Sequence, residues 1–197
     1  MVLEGDTEEV FYPLIRDKFL IGIRVELRNI KGQGNVNRDV ASEIFKYTYN
    51  NSHDLVRVYC CVDTERQKQS ATPFDLPLVC QQIQGRHMEP VLSIDGILAD
   101  PDIESWFFHD VEGIYAFLKA KKSQRKTKKY ATPTNLSKKD LQRLFAQFGR
   151  AYIPGRRAQH FIQSLDIANI VSCCKGLSDG IQLIRSQAKN CANHLFL

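Results

Sequence analysis

One stretch limits the folds open to this chain: Leu55-Val56-Arg57-Val58-Tyr59-Cys60-Cys61-Val62-Asp63. It is rich in β-branched and aromatic residues and almost unbroken in apolar ones. That pattern is expected of a central strand covered on both faces, which is the habit of parallel sheets. The flanking signals alternate. A helix opens at Asp6 or Thr7 on the apolar face of Val10, Phe11, Leu14 and Ile15, and Phe19–Leu27 reads as a strand. A helix is expected from about Arg38 to Tyr49, another from Pro77 to Gln84, and a strand from Pro90 to Ile94. From Pro101-Asp102, residues Ile103, Trp106, Phe107, Val111, Ile114, Tyr115 and Leu118 recur at helical spacing. Strand and helix in alternation predict an α/β fold with helices flanking a parallel sheet.

The chain has 197 residues, 43% hydrophobic and 25% charged, enough to bury a core as one domain or a domain with an appendage. No apolar run approaches the roughly 18 residues of a membrane span, so no membrane partner is expected. The N-terminus carries no basic segment or signal-type apolar region. Cys60-Cys61 and Cys173-Cys174 are adjacent pairs and Cys80 and Cys191 stand alone, a spacing that suits no metal site. Buried reduced thiols in a cytoplasmic protein are expected.

The net charge of +5 conceals a division. Residues 1–118 hold 11 Lys+Arg against 19 Asp+Glu, a balance of −8, and residues 119–197 hold 16 against 3, a balance of +13. The boundary falls in Lys119–Lys129, where Lys121, Lys122, Arg125, Lys126, Lys128 and Lys129 crowd together without an acid. Such a run, extended by Arg150, Arg156 and Arg157, suits a polyanion, or else a solvated linker. Thr132-Pro133-Thr134 is expected to stay extended. Beyond it, helices are expected from Ser137 to about Phe148, Arg157 to Leu165, Ile167 to Cys174 and Leu177 to Ala188. The chain thus divides into a sheet-forming part, 1–118, and a basic, mainly helical part, 119–197.

The chemistry concentrates in carboxylates. Glu4 follows Met1-Val2-Leu3, and Gly5 allows a sharp turn before the first helix. At the carboxyl end of a strand, Glu4 would face the crevice where open α/β sheets bind ligands. Asp63 and Glu65, at i and i+2 after the apolar strand, share one face. Glu104 lies in the first turn after the next strand, and Glu8 lies one helical turn beyond Glu4. Convergent carboxylates suit Mg²⁺ or Mn²⁺, hard ions that can activate water at a scissile phosphate. Without an ion they would repel, and at least one would hold a proton. Gly32-Gln33-Gly34-Asn35 invites comparison with phosphate loops but lacks their further glycines or Gly-Lys-Ser/Thr, so a flexible connection comes first. His109 is read as structural or paired with Asp110.

Glu4-Gly5-Asp6-Thr7-Glu8 together with Asp63-Thr64-Glu65 resembles the Toprim domain, the metal-binding fold of topoisomerases, primases and OLD-type nucleases. The likeness is greatest to small Toprim-like proteins that accompany ATPases in bacterial defence loci. Gly32-Gln33-Gly34-Asn35 and Ile103-Glu104-Ser105-Trp106-Phe107-Phe108-His109-Asp110 add to it, over about residues 1–118. The resemblance implies a Toprim-like Rossmannoid sheet and Mg²⁺ (or Mn²⁺) held by Glu4, Asp63 and Glu65 and assisted by Glu8 and Glu104. It also implies hydrolysis of DNA or RNA in anti-phage defence with a partner ATPase, the nucleic acid lying on Lys121, Lys122, Arg125, Lys126, Lys128, Lys129, Arg156 and Arg157. Assembly with further copies of the chain stays open. A non-catalytic Toprim-like module that docks on an ATPase or nucleic acid is the alternative, and turnover of small nucleotides a third reading. Two departures stand out. Glu65 replaces the usual second Asp, and the first strand is so short that it is either truncated or its start is late.

Overall fold

A computed structural model describes residues 1–32, 34–64, 73–84 and 90–194. Among them, β1 (Val2–Leu3), β2 (Arg28–Asn29), β3 (Val56–Asp63) and β4 (Val91–Ala99) form one parallel sheet in the order β2-β1-β3-β4. The protein is therefore an α/β protein with helices on both faces of a four-stranded sheet, consistent with a Rossmannoid fold.

The period-2 alternation of the strands sorts their side chains onto two cores. Leu3, Tyr59, Cys61, Ile97 and Ala99 face one side, where they meet Phe11, Tyr12 and Ile15 of α1 (Asp6–Phe19). Val2, Val58, Cys60 and Val62 face the other, against Val36, Val40 and Ile44 of α2 (Val36–Asn50) and Val79 and Ile83 of α3 (Leu76–Gln84). Each large apolar side chain buried this way contributes about 1.5–3 kcal/mol.

The first core is shared by both parts of the sequence. The helical run after β4 is broken into α4 (Ile103–Phe107), a 3-10 turn over Phe108–Asp110, and α5 (Val111–Phe117). Against it pack Leu141, Leu144 and Phe145 of α6 (Lys138–Gln147) and Phe161 and Ile162 of α7 (Gln159–Gln163). Ile167, Ile170 and Val171 of α8 (Ile167–Cys173) and Leu177, Ile181 and Ile184 of α9 (Lys175–His194) complete the layer.

Four local expectations change. The strand expected over Phe19–Leu27 is absent: α1 continues through Phe19, residues 20–27 are irregular, and pairing begins only at Arg28. The apolar spacing of Phe11, Ile15 and Phe19 suits the helix, and the neighbouring β1 is too short to template a longer strand. β4 runs to Ala99, five residues beyond its expected end, because it pairs with β3 as far as Asp63↔Ala99. That ladder carries the poor strand formers Ser93, Asp95 and Gly96 with it. Thr132-Pro133-Thr134 is not extended, since Pro133–Asn135 forms a 3-10 turn. His109 and Asp110 do not pair with each other in the described contacts. The Asp110 carboxylate caps Gly113 N–H at 3.0 Å and accepts from Asp166 N–H at 2.7 Å.

Of the buried, reduced thiols expected, Cys60, Cys61 and Cys174 are free and buried, whereas Cys80 and Cys173 are free but half-buried and exposed, respectively. Burial pushes the Cys61 thiol up to about 12, and raises that of Cys60 as well.

Candidate functional site

The order of the strands selects the site. The chain passes from β1 outward to β2, then returns to place β3 on the other side of β1. The crevice beyond the carboxyl ends of β1 and β3 is thus a topological switch point, where open α/β sheets bind ligands. Glu4 and Asp63 flank it. Their separation is fixed by the sheet: Leu3 pairs with Cys61, Glu4 N–H donates to the Cys61 carbonyl at 3.1 Å, and Asp63 N–H donates to Glu4 Oε2 at 2.8 Å.

Gly5 opens α1 with φ −148° and ψ −169°, extended values that any residue adopts. Its need is for space, because a Cβ there would lie 3.2 Å from Glu8 Oε2. The glycine therefore lets the Glu8 carboxylate fold back over the start of the helix toward Glu4.

Glu104 enters from α4. Asp102 caps that helix, its Oδ1 accepting Ser105 N–H at 2.9 Å. Glu104 Oε1 accepts from Thr7 Oγ1 at 3.1 Å and from the Tyr152 hydroxyl at 2.9 Å. Asp63 Oδ1 accepts Ile103 N–H at 3.0 Å, which ties the end of β3 to the start of α4. Glu4, Glu8, Asp102 and Glu104 are all buried and Asp63 is half-buried.

So many carboxylates in one apolar setting cannot all ionise freely. Burial pushes Glu8 up to about 8, with the nearby charges of Glu104 and Glu4 adding to the shift. Asp63 is raised well above the usual carboxylate range, first by burial and then by Glu8, Glu104, Glu4 and Asp102. Glu8 and Asp63 therefore hold their protons more tightly than exposed carboxylates do.

The structure thus brings together Glu4, Glu8, Asp63 and Glu104 of the residues expected from sequence. Glu65 lies outside the described residues, as does Gln33 of the glycine-rich loop. Carboxylate oxygens are the donors that Mg²⁺ and Mn²⁺ prefer, so the donor chemistry fits. Among the described residues, however, no three Asp, Glu, His or Cys side chains form a ready group for a metal. The oxygens instead meet hydrogen-bond donors of the protein itself.

Three participants were not legible as site residues. Tyr152 and Thr7 orient Glu104 from 48 and 97 positions away in sequence, where no local pattern could announce them. Asp102, expected only to complement a helix dipole, also accepts Lys138 N–H through Oδ2 at 2.8 Å. Tyr152→Phe keeps the ring and removes one hydrogen bond to Glu104. It should cost about 1–3 kcal/mol in urea unfolding, because the other partner is a buried acid. A loss no larger than that of an exposed Tyr49→Phe control would show that the bond carries nothing.

The basic run is ordered on the core rather than free as a linker. Tyr130 is buried and stacks on Phe108 at 5.2 Å, and Lys126 N–H donates to the Tyr115 hydroxyl at 2.8 Å. Arg125 is occupied with Glu112 and the Ala120 carbonyl, so it acts as a brace. Lys121, Lys122, Lys126, Lys128 and Lys129 are exposed. Arg156 and Arg157 are exposed as well, on a 3-10 turn that lies against α1, with Arg156 3.8 Å from Glu9. The turn approaches closely: Gly155, at φ +75°, would place a Cβ 2.8 Å from that of Asp6.

These features define an α/β protein with a buried carboxylate cluster at the switch point of a parallel sheet and a basic helical layer packed against it. No family model, curated protein or solved structure matches the chain. No helix among the described residues is long and apolar enough to cross a membrane.

Proposed function

We propose that the protein is a Toprim-like, Mg²⁺- or Mn²⁺-dependent nuclease that hydrolyses DNA or RNA, an effector of anti-phage defence that works with a partner ATPase. The observation that carries this reading is the meeting of Glu4, Glu8, Asp63 and Glu104 at the switch point, with protons held by Glu8 and Asp63. Glu4 and Asp63, with Glu65, would hold the ion, which supplies charge neutralisation at a scissile phosphate and acidification of water. The chain's own groups do the rest. Glu8, poised near neutrality, takes or returns a proton, and Glu104 is held in place by Thr7 and Tyr152. The exposed lysines of 121–129, with Arg156 and Arg157, hold the backbone by charge, so affinity falls steeply as salt rises.

The test is cleavage of plasmid, single-stranded DNA and tRNA with Mg²⁺ or Mn²⁺. Asp63→Ala should lower the rate about a hundredfold or more, since even residues behind metal ligands cost 10- to 100-fold. Absence of metal and nucleic-acid binding under all these conditions would sink the proposal.

A second reading has its own support. The carboxylates already meet internal donors, which suits a non-catalytic Toprim-like module that docks on an ATPase or nucleic acid. It predicts partner binding that Asp63→Ala leaves unchanged.

A further inference from the structure

The helical layer opens into an aromatic recess between its two basic segments. α5 ends at Phe117, just ahead of the exposed Lys119, Lys121 and Lys122, and the 3-10 turn over Gly155–Ala158 carries Arg156 and Arg157. Phe117 and Arg157 meet around a cavity of about 310 Å³, at the lower end of the range for sites that hold small molecules. Phe145, Tyr152 and Phe161 join Phe117 as its walls, and the exposed Arg150 completes it. Among the described residues, no acid lines it.

The recess is preformed. Phe145, Tyr152 and Phe161 are buried, and their rings meet edge-on with centroids 5.0–5.9 Å apart. A ligand that enters does not have to order these walls, which spares it that entropic cost. Phe117 is half-buried, and the Arg150 guanidinium lies over its ring, 5.5 Å from the centroid. Arg150 also donates to the Phe117 carbonyl at 3.3 Å, which holds the cation there. Aromatic walls and a planar guanidinium stack on a flat π system, while the two arginines attract an anion attached to it. An unpaired nucleotide carries both, as its base and its phosphate. In a duplex the base is held in its stack and cannot enter.

We propose that this recess receives one base of single-stranded DNA or RNA, against Phe117, Tyr152 and the Arg150 guanidinium, with the adjoining phosphate on Arg157. The inference rests on the reading of the basic layer as a nucleic-acid surface, and it narrows the substrate to unpaired strands. Charge alone holds any polyanion equally, whereas an aromatic recess rewards only a strand whose bases are free. Its place also matters. The Tyr152 ring is a wall of the recess, and its hydroxyl donates to Glu104 Oε1 at 2.9 Å. A seated base is therefore separated from the carboxylate cluster by a single side chain.

The test compares two short strands of equal charge in the presence of EDTA, one wholly abasic and one abasic except for a single 5-iodouracil. The base-bearing strand should bind about 5- to 150-fold more tightly, the worth of one stacked base. Under near-ultraviolet light it should crosslink to Phe117 or Tyr152. Arg150→Ala should bring the ratio of the two affinities toward one, since the lost charge weakens both strands alike. Equal affinities, or crosslinks confined to residues 121–129, would overturn the proposal. No affinity for either strand would overturn it together with the nucleic-acid surface on which it rests. Because no metal is present, the two readings separate: base preference without cleavage in Mg²⁺ or Mn²⁺ sinks the nuclease alone, and cleavage without base preference sinks the recess alone.

Discussion

Glu8→Gln should raise the melting temperature at pH 8 and leave it almost unchanged at pH 4. Glu8 is an acid whose folded pKa, about 8, lies above its ordinary value near 4.5. The folded state then binds the proton more tightly than the unfolded one, so stability falls as pH rises from about 4.5 to about 8 and levels off beyond. Asp63 is shifted in the same direction and adds to the fall. Glutamine keeps the length of the side chain and an oxygen that can accept from the backbone, but it carries no charge to desolvate. At pH 8 the gain should be about 2–4 kcal/mol, or about 5–10 °C in a chain of this size. The variant should also show a shallower decline with pH, with the share of Asp63 remaining. Thermal melts across pH 4–9 decide the matter. A variant that melts below the parent at pH 8 would show that the Glu8 carboxylate is stabilising as an anion.

Phe161→Ala is expected to be the most damaging single core change. The ring is buried and meets Phe107 at 5.9 Å, Phe117 at 5.2 Å, Phe145 at 5.0 Å and Tyr152 at 5.9 Å. Its removal costs about 3–5 kcal/mol for the cavity and lost transfer energy. Each edge-on pair adds about 0.5–1.5 kcal/mol to what a ring of this area is worth. The cluster joins α4 and α5 to α6 and α7, so unfolding should remain a single transition that moves as a whole. Denaturation followed by both near- and far-ultraviolet circular dichroism would show this. A loss below about 1 kcal/mol, or melting of the helical layer alone, would contradict a shared core.

The sequence conveyed much of this and missed the rest for physical reasons. Leu55–Asp63 was legible because a strand buried on both faces must be apolar nearly throughout. Glu4 and Asp63 were legible because an acid just past an apolar run marks the end of a strand, and Glu104 because it falls in the first turn of the helix that follows the next strand. Residues 20–27 were misread since alternation of apolar residues describes a strand only where a neighbour offers a ladder, and here the neighbour is two residues long. Tyr152 illustrates the other limit. Its hydroxyl serves Glu104 through packing of the helical layer, and nothing adjacent to it in sequence carries that information. The cluster at 121–129 was legible as charge but not as structure, because Tyr130 and the guanidinium of Arg125, rather than the lysines, tie it to the core.

Asp102 caps two helices at once. One of its oxygens takes the amide of Ser105 in α4 and the other takes the amide of Lys138 at the start of α6. Glu104 lies two residues from this carboxylate and Lys139 one residue beyond the second amide. The acidic crevice and the basic layer therefore share a pivot: the Asp102 carboxylate joins the start of α6 to the helix that carries Glu104.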